Sequence, residues 1–231
     1  MHTQESINQL FNNNSDAFGQ DTEQQYKAGS YKRGDLFLKV TKKHVSSGGA
    51  ILDYGCGTGR ISLMLGKEGY HVLGVDPAIN HIEKAVSLNT FSNVQFNVLT
   101  DSSVASASSF DAVVSSSVFE FVPDPLQYIS DIHHLLKPGG ILIISFPNLF
   151  SLWRVYSKIR FGKTYHHFKF QKNTWSQSEI IRNFKENGFR KAGRVHYYES
   201  AFDHKGLGFL NTSRLFGTLF VMVFQKESKT S

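Results

Sequence analysis

One cysteine in 231 residues, Cys56, leaves no partner for a disulfide within the chain and fits a reducing compartment. Long apolar runs are equally scarce. The longest, Leu215 to Phe224, is broken by Gly217 and Thr218 and falls well short of the roughly 20 residues that cross a bilayer. The opening stretch M-H-T-Q-E-S-I-N-Q-L-F-N-N-N-S has no apolar core of signal-peptide length. Nothing repeats at a solenoid period, and the length suits one sizeable core better than two. These absences predict a soluble, cytoplasmic chain.

A local absence says more. Between Asn148 and Lys172 there is no aspartate or glutamate, while Arg154, Lys158, Arg160, Lys163, Lys169 and Lys172 fall there. Outside that stretch, 19 basic residues face 19 acidic ones, so the whole net charge of +6 sits in one segment. A uniformly basic protein would point to nucleic acid. A neutral body with one basic segment points to a local anionic partner or surface.

What is present is a strand–helix alternation. Residues 1–45 are read as an N-terminal cover, polar at first and helical from about Lys32 to Val45. Ala50–Asp53 is an apolar strand, Ile61–Lys67 a helix, His71–Asp76 a strand, Ala78–Leu88 a helix, and Val94–Thr100 and Ala112–Ser117 further strands. Asp124–Lys137 is a helix opened by Pro125 and closed by Lys137-Pro138-Gly139-Gly140, and Ile141–Phe146 reads as a strand buried on both faces. Residues 50–147 thus form the core, 148–175 an insertion of basic and aromatic residues, and 176–227 a final helix and hairpin. Ser176–Asn187 is that helix, stopped by Gly188. Lys191–Glu199 and Phe216–Lys226 are its strands, the second antiparallel because no crossover of helix length separates them. The rhythm predicts a seven-stranded, mostly parallel sheet with a reversed last strand and helices on both faces.

The organising stretch is A-I-L-D-Y-G-C-G-T-G-R, residues 50–60, in which a strand ends on Asp53 and breaks into Gly55, Gly57 and Gly59 before a helix. Backbone N–H groups at such a turn face a ligand lying across it. A dinucleotide turn, G-x-G-x-x-G, wants a small third residue where this chain has Arg60, and the phosphate-loop pattern G-x-x-x-x-G-K-[ST] is absent.

The turn instead resembles the first motif of the class I S-adenosylmethionine-dependent methyltransferases. Four more features follow in that family's order: V-L-G-V-D ending on Asp76, Asp101 after the third strand, F-D-A-V-V-S-S-S, and L-K-P-G-G-I-L-I-I-S. The resemblance implies a Rossmann-like fold and S-adenosylmethionine as cofactor. It implies that the turn at Gly55, Cys56, Gly57 and Gly59 receives the methionine tail and that Asp53 faces its ammonium. Asp76, followed by Pro77, would take both ribose hydroxyls. Asp101 would accept from the adenine amino group with Ser102 beside it, and Ser116 and Ser117 would line the crevice past the fourth strand. Arg33 either pairs with the tail carboxylate or stays a solvated surface arginine.

Methyl transfer is an in-line displacement at a carbon that the sulfonium already activates, so alignment does most of the work. An acceptor of high pKa, such as a hydroxyl, also wants a base or a metal. No metal site is read from the sequence. The pattern F-D-A-V-V-S-S-S-V-F-E-F-V-P-D-P is similar to the ubiquinone-biosynthesis O-methyltransferases and their small-molecule relatives. That group's Glu-His pair is Glu120-Phe121 here, and its tryptophan-rich N-terminal segment is missing. Candidate catalytic residues by position are Glu120, His166, His167 and His204. His133 and His134 fall late in their helix, toward the opposite sheet edge. The expected reaction is methylation of a small molecule, at oxygen, with a lipid or quinone acceptor at a membrane surface as a second reading. A third reading is a protein that binds the cofactor with little catalysis of its own. Residues 148–172 are read first as a lid whose apolar face covers the acceptor, then as a contact with an anionic membrane; the lack of a base-methylating Asn/Asp-Pro-Pro-Tyr motif argues against nucleic acid.

Overall fold

The apolar runs between residues 50 and 147 become five parallel strands, and described helices lie in three of the four crossovers that parallel pairing requires. The structure is a computed structural model and describes residues 32–100, 107–161, 172–198 and 213–228. In chain order the elements are α1 (Lys32–His44), β1 (Ala50–Tyr54), α2 (Arg60–Lys67), β2 (His71–Asp76), α3 (Ile79–Leu88), β3 (Val94–Val98) and β4 (Phe110–Ser115). A 3₁₀ turn at Phe119–Phe121 leads into α4 (Pro125–Leu135), β5 (Leu136–Pro147) and α5 (Leu152–Phe161). The chain ends with α6 (Gln177–Glu186), β6 (Phe189–Lys191), β7 (His196–Tyr198) and β8 (Leu219–Lys226).

The strand order is β3-β2-β1-β4-β5-β8-β6, with β7 also on β8. Pairing is parallel from β3 through β5 and antiparallel where β8 meets β5, β6 and β7. The reversed last strand is as expected. The strand expected over 191–199 is shorter: β7 occupies 196–198 of it, while β6 begins ahead of it and shares only Lys191, which brings the sheet to eight strands. Gly193, at φ +87, lies between them, and both pieces lie on β8. Lys137-Pro138-Gly139-Gly140 likewise does not stand apart as a loop but is drawn into the start of β5.

Alternation within strands sends neighbouring residues to two separate cores. Ile51, Val72 and Val114 join Phe37 of α1, Leu65 of α2 and Ile82 of α3 on one face. Leu52, Val113 and Phe146 join Ile129 of α4 and Phe184 of α6 on the other. There Phe184 stacks on Phe224 with ring centroids 4.3 Å apart. The helix starts follow their sequence signals. Asp124 accepts hydrogen bonds from the backbone N–H groups of Leu126 and Gln127, both at 3.0 Å, with Pro125 opening α4. Ser176 and Glu179 form a capping box at α6.

On α5, Leu152, Val155, Tyr156 and Ile159 form a stripe at i, i+3, i+4 and i+7, and all four are exposed, Ile159 at 82%. Among the described residues no helix is long and apolar enough to cross a membrane.

Candidate cofactor site

Because β1 lies between β2 and β4, the segments that follow these three strands meet at one edge of the sheet, where open α/β sheets bind ligands. The turn after β1 is fastened first. The carbonyl of Val75 accepts from the N–H groups of both Gly55, at 2.8 Å, and Cys56, at 2.9 Å. Gly55 has φ +78, and a Cβ there would lie 2.2 Å from Cγ2 of Val118, in the loop after β4. Gly57 also has positive φ, +53, but open space surrounds its missing Cβ. The two glycines therefore do different things. Gly55 lets the β4 loop close against the turn, and Gly57 leaves room in front of it.

Two carboxylates flank the turn. Asp53 is 2% exposed, and its Oδ2 accepts from Ser62 Oγ at 2.6 Å. Burial pushes its carboxyl up to about 7; the Ser62 hydrogen bond opposes this and the charge of Asp76 adds to it. Asp76 is 7% exposed, with Oδ2 accepting from Gly57 N–H at 2.9 Å and Oδ1 from Ala78 N–H at 2.9 Å. Desolvation by its surroundings and the charges of Asp53 and Asp76 push the half-buried Cys56 thiol up from its ordinary value.

The β4 side contributes two hydroxyls. Ser116 Oγ and Ser117 Oγ are buried without a hydrogen-bond partner. Ser117 holds the left-handed conformation at φ +56, unusual for a residue with a side chain, and its N–H donates to Ser145 Oγ at 2.8 Å. Below it, Tyr128 OH donates to Ser115 Oγ at 2.6 Å, and Ser115 Oγ donates to the carbonyl of Tyr54 at 3.1 Å. Buried unsatisfied hydroxyls are costly, the more so on the strained backbone of Ser117, and such features concentrate where a ligand supplies the missing partner.

The structure thus gathers Asp53, Gly55, Cys56, Gly57, Asp76, Ser116 and Ser117 around one turn. Pro77 follows Asp76 directly. Gly59 caps α2 in the left-handed region, where a Cβ would meet the ring of Phe96 at 2.5 Å, so its role is packing. Arg33 lies in the first turn of α1, half-buried. Asp101, Ser102, His166, His167 and His204 lie outside the described residues. Glu120 is 4% exposed rather than open on the rim, and its carbonyl accepts from the N–H groups of Lys172, at 2.7 Å, and Asn173, at 3.3 Å. His133 packs edge-on against Phe189, centroids 5.2 Å apart, in keeping with a place remote from the turn.

The fold recurs in known proteins. The family described as a methyltransferase domain matches residues 25–192. The chain belongs to that methyltransferase family. Its members of this class draw the methyl group from S-adenosylmethionine. Among curated relatives, a ubiquinone biosynthesis O-methyltransferase of Xylella fastidiosa is 33% identical over 110 residues, covering 46% of this methyltransferase and 45% of the relative. A mitochondrial protein of the same description from Mus musculus is 37% identical over 125 residues, covering 49% and 34%. The methyltransferase therefore spans less than half the length of these relatives. Among solved structures, a magnesium protoporphyrin IX methyltransferase from Synechocystis with SAH bound superposes with a TM-score of 0.71 at 17% identity, over 97% of this chain and 100% of that one.

Three residues around the turn escaped sequence reasoning. Ser62 is the one hydroxyl among the buried residues of α2, nine positions after Asp53, and that anomaly was readable. Ser145 sits in a strand otherwise aliphatic and aromatic on its buried face, opposite the β4 end. His81, buried at 5% exposure in the first turn of α3, carried no pattern that set it apart.

Proposed function

We propose that this chain transfers the methyl group of S-adenosylmethionine to a hydroxyl oxygen of a small molecule. The observation that carries the reading is the pair of buried acids, Asp53 and Asp76, flanking an open turn at Gly57, with the partnerless Ser116 and Ser117 hydroxyls on the neighbouring loop. These residues fit the group. A carboxylate suits the tail ammonium, a second suits a ribose hydroxyl, and the two serine hydroxyls can donate to or accept from a polar tail. S-adenosylmethionine, when bound, supplies a methyl carbon made electrophilic by the adjoining sulfonium.

In this reading Asp53 takes the ammonium, Asp76 the ribose, and the 55–59 turn closes over the tail, with Asp101 and Ser102 assigned to the adenine. The protein's part is orientation, which can be worth on the order of 7–11 kcal/mol. The oxygen acceptor is supported by the O-methyltransferase description of the curated relatives. A hydroxyl acceptor also gives a purpose to a base near the rim, for which His204 is the first candidate and His166 and His167 the next. Isothermal titration with S-adenosylhomocysteine, followed by transfer of labelled methyl to a panel of phenols and alcohols, tests the reading. Micromolar binding and label on oxygen are expected; no binding of either nucleoside overturns it.

A second reading places the same chemistry at an anionic membrane surface, on a lipid or quinone acceptor. The exposed stripe of α5 favours it, because that stripe is flanked by Arg154 and Arg160 within the segment that holds all of the excess positive charge.

A further inference from the structure

Asp76 is held by more than the glycine turn. His81 Nδ1 lies 3.2 Å from Asp76 Oδ1, the same oxygen that accepts from Ala78 N–H, and both side chains are almost wholly buried. A carboxylate offers about four lone-pair positions and can only accept, so the facing ring nitrogen must carry a proton. Three of those positions are then filled by the protein: Gly57 N–H on Oδ2, and Ala78 N–H with His81 Nδ1–H on Oδ1. The fourth lies on Oδ2, the oxygen bonded to the open turn at Gly57.

We propose that His81 is a positioning residue for cofactor recognition, fixing the plane of the Asp76 carboxylate so that its one remaining lone pair accepts from a ribose hydroxyl; with the other three filled, it takes one hydroxyl rather than both. Two of the three clamps are backbone groups on either side of the carboxylate and cannot be varied by sequence. His81 is the only side chain among the three, and it reaches Asp76 from the first turn of α3, so it ties the carboxylate to the packing of that helix. Its neighbours Ile82 and Ala85 anchor α3 in the core, which gives the imidazole a rigid mount. Without it, Oδ1 keeps only the Ala78 contact and the carboxylate can rotate about its Cβ–Cγ bond.

The inference rests on Asp76 being the ribose carboxylate, and the test separates the two. Titration with S-adenosylhomocysteine and with an analogue lacking both ribose hydroxyls is run on wild type, Asp76→Asn, His81→Leu and His81→Asn. Asp76→Asn reports on the ribose reading alone: a wild-type affinity there removes that reading and the inference with it. Given a loss in Asp76→Asn, His81→Leu is expected to weaken S-adenosylhomocysteine about tenfold, the scale of a lost hydrogen bond to a charged group. The same variant should bind the hydroxyl-free analogue as wild type does. His81→Asn, whose amide nitrogen can replace Nδ1 as donor, should restore affinity to within about threefold. Unchanged affinity in His81→Leu, or an equal loss for both ligands, overturns the proposal. Nitrogen NMR of the wild-type ring gives a readout that needs no variant. A proton on Nδ1 that persists through ligand binding is expected, and a neutral ring protonated at Nε2 overturns it.

Discussion

Asp53 Oδ2 accepts from Ser62 Oγ at 2.6 Å inside a region where neither side chain is more than 2% exposed. One hydrogen bond does not offset the loss of water, so burial leaves the Asp53 carboxyl at about 7, above its ordinary value of 3.8. The sign of the consequence is opposite to that of most carboxylates. The folded protein keeps a proton that the unfolded chain releases, so the contribution to stability is complete below about pH 4 and is lost as the pH rises through about 7. Denaturant titrations at pH 5 and pH 8 on the cofactor-free protein should show the higher-pH sample less stable. Asp53→Asn should flatten that difference, and an unchanged slope would remove Asp53 as its source.

The same proton links to ligand binding. A tail ammonium beside Asp53 favours the ionised carboxylate, so binding near neutral pH should expel a proton. Affinity for S-adenosylhomocysteine should therefore rise between about pH 5 and pH 7 and level off above the Asp53 value. Calorimetry in two buffers of different ionisation enthalpy measures the proton directly. Identical heats in the two buffers would show that Asp53 is not the group facing the ammonium.

Gly55→Ala tests whether the turn is closed by packing. The new Cβ would lie 2.2 Å from Val118 Cγ2, on a backbone at φ +78. The left-handed conformation alone costs about 1–2 kcal/mol with a side chain, and overpacking adds a further 1–3 kcal/mol or so. Adding Val118→Ala should recover the overpacking part but not the backbone part. A double variant no more stable than the single one would show that Val118 gives way freely.

The mostly parallel sheet with helices on both faces and a reversed last strand was legible from sequence because alternation and glycine punctuation are local; the strand order and the split into two cores emerge only from the pairing. The break between β6 and β7 was not legible either, since Gly193 reads equally well as a strand glycine until β8 is seen to pair with both pieces. Within the site, Asp53 and Asp76 announced themselves as acids ending apolar strands. His81 did not, because it gains its role only when α3 folds back over the strand end, and Ser62 showed only as a lone hydroxyl among buried apolar positions until α2 brought it to Asp53. The orientation of α5 was also beyond the sequence. A helical stripe says that one face is apolar and leaves open whether that face looks inward.

Phe184→Ala separates fold stability from the site. Phe184 is fully buried and stacks on Phe224 at 4.3 Å, with Phe146 and Phe189 also at ring contact. Truncation should cost about 3–5 kcal/mol, read as a shift of the denaturation midpoint. Helix α6 carries none of the proposed cofactor contacts, so affinity for S-adenosylhomocysteine at low temperature should change by less than about threefold. A large loss of affinity would mean that the aromatic core transmits to the turn.

Helix α5 yields the sharpest test of where the enzyme works. Its stripe of Leu152, Val155, Tyr156 and Ile159 faces outward, and Phe150 and Leu215 add exposed apolar surface beside it, with the Arg214 guanidinium 4.4 Å from the Phe150 ring centre. Burying such side chains in the acyl boundary gains about 1.5–3 kcal/mol each when complete, and each nearby Lys or Arg adds about 1 kcal/mol on an anionic surface. Vesicles rich in phosphatidylglycerol should therefore sediment the protein at low salt and release it as ionic strength rises, while neutral phosphatidylcholine vesicles should not. Ile159→Ser, at the most exposed position of the stripe, should weaken that binding severalfold without altering affinity for S-adenosylhomocysteine in solution. Charge and apolar surface act together in this account, so binding that ignores Ile159→Ser would reduce the segment to a purely electrostatic contact. Absence of binding to anionic vesicles even at low salt would return α5 to a role within the protein, as a cover for a soluble acceptor.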